Sequence, residues 1–291
     1  MRYALFLGCT IPARLPQYES SARAVLEGLG VELTDIREFN CCGYPLRNTD
    51  HTAALLAAAR NLALAERNHL PLLMLCQCGY GMLKYATHTL REDHTAKGRI
   101  NTILKKEDLE YRGDAEIKHL LSVLFHDIGV DAIKKKITRS YHELKIATHY
   151  GCHVLRPSEV VHFDDPVNPT LFDKLVEATG SESISWQARL DCCGAPLFGS
   201  NDALSMELTQ KKLTSAKQSG AQFICDSCPY CHLQLDTVQK MMMAKNPKGN
   251  HSIAPILYTQ LLGLSLGIDT KTLGLEMNQI DITGVEGFLS G

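Results

Sequence analysis

The sequence predicts an α/β protein of two pseudo-symmetric halves, each a small parallel sheet flanked by helices, with functional residues at the carboxyl ends of the strands. Two observations carry this. Short apolar runs of strand length alternate with stretches of helical spacing, in the same order twice. The string Cys-Cys-Gly-x-Pro-Leu occurs at 41–46 and again at 192–197, about half a chain apart. Self-similarity on that scale marks an internal duplication. The 291 residues suffice for two average domains, and the 45% hydrophobic content supports a sizeable core.

The first repeat is expected over 1–90. Arg2–Leu7 reads as a strand, Tyr18–Leu29 as a helix ended by Gly30, and Val31–Ile36 as a second strand. Asp50 is an N-cap for an alanine- and leucine-rich helix to about Arg67. Pro71–Leu75 is a short buried strand, with another helix opening near Gly79. Residues 91–142 form a charged helical connection, in which Ile117, Leu120, Leu121, Leu124 and Phe125 make an apolar stripe over Glu116–Ile128 that is expected to pack back on the core. Lys134–Lys136 and Arg139 read as a solvated face. The second repeat is expected over 143–268. Its strands are Leu144–His149, Ser183–Trp186 and Ala221–Cys225. Its helices begin at Pro169, at Asn201 (to Ser219) and at Pro229 (through Met243), and Ile253–Gly267 is expected as a core helix. A C-terminal tail, 269–291, is polar from about Asn278 and is expected to order against a partner.

A formal charge of −2 and a pI near 6.6 give no electrostatic case for nucleic acid. No apolar run approaches the roughly 20 residues of a transmembrane helix. The apolar opening, Met1–Cys9, is too short for a signal peptide, so a cytoplasmic location is expected. In a reducing compartment a recurring cysteine pattern binds metal or does redox chemistry in preference to forming disulfides.

Nine of the eleven cysteines fall into two sets. Cys9, Cys41, Cys42 and Cys78 are repeated by Cys152, Cys192, Cys193 and Cys228 at offsets of 143, 151 and 150, and Cys231 adds a fifth thiol to the second set. The first set has Gly81 where Cys231 has its counterpart, and carries instead an extra Cys76. The two centres are therefore unequal. Structural zinc takes four ligands from two close pairs, which the vicinal cysteines and the count of five fit poorly. Iron–sulfur clusters are held by thiolates, normally four. Helices opening at Gly79 and Pro229 would aim positive amino ends at an anionic cluster.

The doubled pattern, with Tyr150-Gly151-Cys152-His153-Val154-Leu155-Arg156-Pro157 and Asp164–Thr170, resembles the CCG domain and, over roughly residues 3–265, the catalytic B-type subunits of heterodisulfide reductases. The resemblance implies two iron–sulfur clusters flanking a substrate cavity between the halves. It implies a noncubane [4Fe–4S] cluster on Cys152, Cys192, Cys193, Cys228 and Cys231, and a [4Fe–4S] cluster on Cys9, Cys41, Cys42 and Cys78. The latter is a cubane, a five-thiol cluster completed by Cys76, or one with an iron open to substrate. The implied activity is reduction of a disulfide, or oxidation of a dithiol, by two one-electron steps. The substrate includes one carried on a protein as a lipoyl or persulfide group, as in variant complexes of sulfur oxidation. A non-catalytic electron relay is the alternative. His153 and Arg156, next to Cys152, are the catalytic candidates: His153 to move a proton, Arg156 to hold an anionic substrate group. The chain has no ferredoxin run, dinucleotide fingerprint or flavin motif. Its expected partners are thus the separate ferredoxin-like (C-type) and flavoprotein (A-type) subunits of such a complex.

Overall fold

The computed structural model describes residues 1–245 and 252–290. Two four-stranded, all-parallel sheets carry the fold. The first comprises β1 (Arg2–Phe6), β2 (Glu32–Thr34), β3 (Leu72–Met74) and β4 (Ile117–His119), in the order β2-β1-β3-β4. The second comprises β5 (Lys145–Thr148), β6 (Glu182–Ser183), β7 (Phe223–Asp226) and β8 (Ala254–Leu257), in the order β6-β5-β7-β8. The topologies are identical, and so are the registers at the centre: Ala4 pairs with Thr34 on one side and Leu72 on the other, as Ile146 does with Ser183 and Phe223.

Helices cover the sheets because their apolar faces require it. In the first half these are α1 (Pro16–Gly28), α2 (His51–Arg67), α3 (Gln77–Glu92) and α4 (His94–Leu104). In the second they are α5 (Leu171–Glu177), α6 (Asp202–Gln218), α7 (Pro229–Leu233, continued as a wider turn to Val238) and α8 (Tyr258–Ser265). α2 and α6 start alike: the Asp50 carboxylate accepts from the Ala53 amide at 2.9 Å, and the Asn201 side chain from the Leu204 amide at 3.1 Å. The halves meet along α1 and α8, where the Ser21 and Thr259 hydroxyls are 2.6 Å apart. Beneath them the Tyr18 hydroxyl lies 3.0 Å from the Leu75 carbonyl and 2.9 Å from the Ser227 carbonyl, pinning the loop after β3 to the loop after β7.

Three expectations differ from the structure. The stretch Glu116–Ile128 opens as β4, with helix beginning only after His119, whose Nδ1 accepts from the Leu121 amide at 3.3 Å. Its stripe does pack inward, Leu120, Leu121 and Leu124 being fully buried. Ile253–Gly267 likewise opens as β8 before turning helical, with Pro255 tolerated on an edge strand. Both are continuous apolar runs, whose pattern fits a buried strand and a buried helix equally. The tail orders against its own chain. Ile282 and Val285 are buried, Leu289 bridges Tyr141, and the Gln279 and Ile280 amides donate to the buried Asp236 carboxylate at 2.9 and 2.8 Å. Lys134, Lys135 and Lys136 are exposed, as expected.

Candidate metal centres

In each sheet the connections leave the first strand in opposite directions, so a crevice opens between β1 and β3, and between β5 and β7, at the carboxyl ends. The cysteines follow these strands. Cys9 comes after β1 and Cys76 and Cys78 after β3; Cys152 comes after β5 and Cys228 after β7.

The vicinal pairs are brought in by the glycine that follows them. Gly43 and Gly194 adopt φ of +89° and +93°. A Cβ on them would stand 2.3 Å from the Ala54 carbonyl oxygen and 2.4 Å from that of Ser205, in the first turns of α2 and α6. Only glycine lets the loop lie so close to the helix. Side chains of those helices then fix the loop. Asn61 donates to the Cys41 carbonyl at 3.1 Å, Thr209 to that of Cys193 at 3.1 Å and Ser205 to that of Gly194 at 2.9 Å.

All eleven cysteines are free thiols. In the first half a hydrogen bond from Cys42 leads in holding the Cys41 thiol down to about 6, against its partial burial, with the Gly43 amide and Cys9 contributing. In the second, Cys192 and then Cys231 hold Cys193 well below the usual thiol range, and His149 adds to this. Burial raises Cys152 to about 12, and its sulfur lies 3.0 Å from His153 Nδ1. The two sets meet at Cys228, whose thiol is drawn well down by Cys231 of its own set and then by Cys76 and Cys78 of the other. Cys76 and Cys228 are the N-caps of α3 and α7, and the Gly79 amide donates to the Cys76 sulfur at 3.4 Å. Cys225, fully buried on β7, takes no part in these contacts.

Position 81 looks elsewhere. A Cβ on Gly81 would meet the His153 carbonyl oxygen at 2.9 Å and the His153 Cβ at 3.2 Å. Cys76 lines a small cavity with Cys9, Cys42 and Cys78. Among the described residues no three His, Cys, Asp or Glu side chains converge closely enough to hold a single metal ion. Soft, partly ionised thiols in two adjoining groups suit iron–sulfur ligation.

A second cavity of about 250 Å³ is lined by Tyr44, Arg47, His51, Gly81, His153 and Arg156 among others. Here both catalytic candidates meet, though Arg156 is exposed and its Nη2 donates to the Pro166 carbonyl at 3.1 Å. Burial lowers the pKa of His153, leaving a neutral ring against Tyr44. Arg47, which no sequence signal singled out, stacks on the Tyr44 ring at 3.6 Å from its centroid. Tyr44 lines both this cavity and the one at the first thiols, and among the described residues its buried hydroxyl has no hydrogen-bond partner. Tyr80 is structural, its hydroxyl donating to the Val161 carbonyl at 2.9 Å. So is His232, sealed between Asp226 at 3.0 Å and Asn278 at 3.1 Å.

Sequence reasoning also missed Lys212. It is fully buried behind Cys193 with its Nζ 3.3 Å from His149 Nδ1. Its signal was available: with Thr209, Leu213 and Ala216 it falls on the apolar face of α6.

The family described as "Cysteine-rich domain" (CCG) matches residues 3–84 and 146–236. The B-type subunit of a ferredoxin/F420H2-dependent CoB-CoM heterodisulfide reductase from Methanosarcina acetivorans is 36% identical over 285 residues, covering 96% of this chain and 94% of that protein. The "8-methylmenaquinol:fumarate reductase membrane anchor subunit" of Wolinella succinogenes is also 36% identical, covering 97% and 98%. A protein of Archaeoglobus profundus, named for its likeness to the same heterodisulfide reductase component, is 33% identical, covering 93% and 92%. Among the described residues no helix is long and apolar enough to cross a membrane. The crystal structure of a hypothetical protein from Helicobacter pylori shares the fold at a TM-score of 0.76 and 18% identity; this chain spans about half of it, 52%. Duplicated cysteine-rich domains, two matching parallel sheets and full-length similarity converge: the chain belongs to the family of B-type heterodisulfide reductase subunits.

Proposed function

We propose that this chain is the iron–sulfur component at which a disulfide is reduced, or a dithiol oxidised, within a heterodisulfide-reductase-like complex. The observation that carries the reading is the junction at Cys228. The two thiol groups adjoin there, and a cavity beside Tyr44 and His153 is lined by residues of both halves. Cys152, Cys192, Cys193, Cys228 and Cys231 would hold the second cluster, a noncubane [4Fe–4S] group. Cys9, Cys41, Cys42 and Cys78 would hold the first, with Cys76 as the fifth thiolate. Bound there, the clusters would supply the two one-electron exchanges that cleavage of an S–S bond requires.

The chain's own residues do the rest. Arg47 and Arg156 bring two guanidinium groups to the cavity wall, which suits an anionic disulfide or a protein-borne lipoyl or persulfide group. Reduction takes two electrons and two protons and releases two thiols. His153, neutral and in contact with Cys152, can pass protons between the cavity and solvent. Tyr44 stands between the cavity and the buried first-set thiols Cys42 and Cys78. The electrons come from outside, and the relatives' standing as parts of larger reductases supports ferredoxin-like (C-type) and flavoprotein (A-type) subunits as the donors. The Wolinella relative, named for a quinol:fumarate reductase, favours the second reading, an electron relay between partner subunits.

Anaerobically purified protein is expected to be brown, with an EPR signal that appears on adding a dithiol to the oxidised form and disappears in Cys231→Ala. A colourless chain with stoichiometric zinc refutes both readings. Full turnover of the complex with Cys231→Ala, and no dithiol-dependent signal, leaves the relay.

A further inference from the structure

The offset of 151 that relates Cys42 to Cys193, Gly43 to Gly194 and Ala54 to Ser205 also relates Asn61 to Lys212. Both are fully buried. Asn61 is neutral and is used up on backbone, accepting from the Asn40 amide at 2.9 Å and donating to the Cys41 and Ala57 carbonyls. Lys212 brings a charge. Its ammonium donates to the Ala188 carbonyl, lies 3.3 Å from His149 Nδ1 and sits 4.8 Å over the Trp186 ring. His149 in turn is the counterpart of Phe6, at the offset that relates Cys9 to Cys152. Phe6 stacks on Phe39 at 5.1 Å. The first thiol set is thus backed by phenyl rings and an amide, the second by an imidazole and an ammonium.

A buried ammonium needs a counter-ion, since leaving it unpaired away from water is strongly unfavourable. Among the described residues no carboxylate forms an ion pair with Lys212; Asp191, the carboxylate that acts on it, is engaged by Lys211 at 3.0 Å. The other groups whose charge acts on it are the thiols of Cys193, Cys231 and Cys192. His149 Nδ1 also lies 3.4 Å from the Arg189 carbonyl, and among the described residues its buried Nε2 has no hydrogen-bond partner.

We infer that Lys212 is a positioning residue that sets a positive charge behind the second centre and makes it the more readily reduced of the two. This rests on the reading that both thiol sets hold iron–sulfur clusters. A nearby positive charge favours the form carrying one more electron, and net charge and hydrogen bonds to the sulfurs are what a protein uses to tune such a centre. Electrons entering the chain then settle first at the second centre, which fixes the order in which the two sulfurs of a substrate are served.

The test is an anaerobic redox titration of the full cluster-loaded chain followed by EPR, with the second centre assigned by the signal that Cys231→Ala removes. Lys212→Met and Lys212→Gln are expected to make the second centre at least tenfold harder to reduce, a fall of 59 mV for one electron, with the first centre unmoved. Lys212→Arg is expected to restore it. Lys212→Gln can still reach the Ala188 carbonyl and decides the matter if Lys212→Met does not fold. An unchanged second potential in a folded, loaded variant overturns the inference, and so does an equal shift of both centres. Wild-type protein without bound iron overturns the underlying reading instead.

Discussion

Replacing Gly194 by alanine tests the account of how the vicinal cysteines are held. The substitution meets two separate costs. At φ of +93° an L-residue is in the left-handed region, worth about 1–2 kcal/mol. Its Cβ would also stand 2.4 Å from the Ser205 carbonyl oxygen, which belongs to α6 and cannot rotate away, and such overpacking costs about 1–3 kcal/mol more. The sum is about 2–5 kcal/mol. Gly199 supplies the control, with φ of +90° and nothing within 4 Å of its Cβ, so Gly199→Ala meets the first cost alone. At roughly 2 °C per kcal/mol for a chain of this size, Gly194→Ala should melt about 4–10 °C below wild type and Gly199→Ala about 2–4 °C below. The measurement is a thermal circular dichroism melt of the reduced, metal-free protein. Equal Tm values for the two variants would refute the claim that contact with α6 makes this glycine necessary. Anaerobic reconstitution should show Gly194→Ala losing iron where Gly199→Ala keeps it.

Three further outcomes follow from the same geometry. Cys76→Ser should bind less iron per chain than wild type while Cys225→Ser binds the full amount, by colorimetric iron assay; equal iron in Cys76→Ser removes Cys76 from the first set. Arg47→Ala and Arg156→Ala should each raise KM for an anionic disulfide roughly 10- to 100-fold, the worth of a hydrogen bond to a charged group, with little change for a neutral one. Asp127 is partly buried, which would raise its pKa, but the Tyr3 hydroxyl at 2.7 Å and Lys118 at 2.9 Å outweigh that and hold it below its ordinary value. Its stabilisation is therefore complete above the unfolded pKa of about 3.9 and is lost as pH falls through the lower folded value. Asp127→Asn should cost about 1 kcal/mol in urea unfolding at pH 7, and the gap to wild type should close towards pH 2.

Much of this was legible in the chain because it is local. The N-caps Asp50 and Asn201 stand where their helices begin, and six of the eight strands fall where short apolar runs predict them. β4 and β8 did not, because an apolar run carries no record of whether a sheet edge or a helix groove will receive it. The tail's docking was hidden because its order depends on Asp236, which accepts from amides 43 and 44 residues away in sequence.

The sequence by itself determined the duplication, the matching strand–helix order and the thiols that follow the strand ends. Those depend on spacing, hydrophobic period and side-chain chemistry within each repeat. Only the tertiary structure decided which thiols adjoin. It turned position 81 towards His153, placed Cys76 in one cavity with Cys9, Cys42 and Cys78, and set Cys228 against both groups. It also put a buried ammonium behind one centre and an amide behind the other. These follow from how the two halves face one another and how each helix seats on its own loop, contacts across long separations that spacing along a chain does not encode.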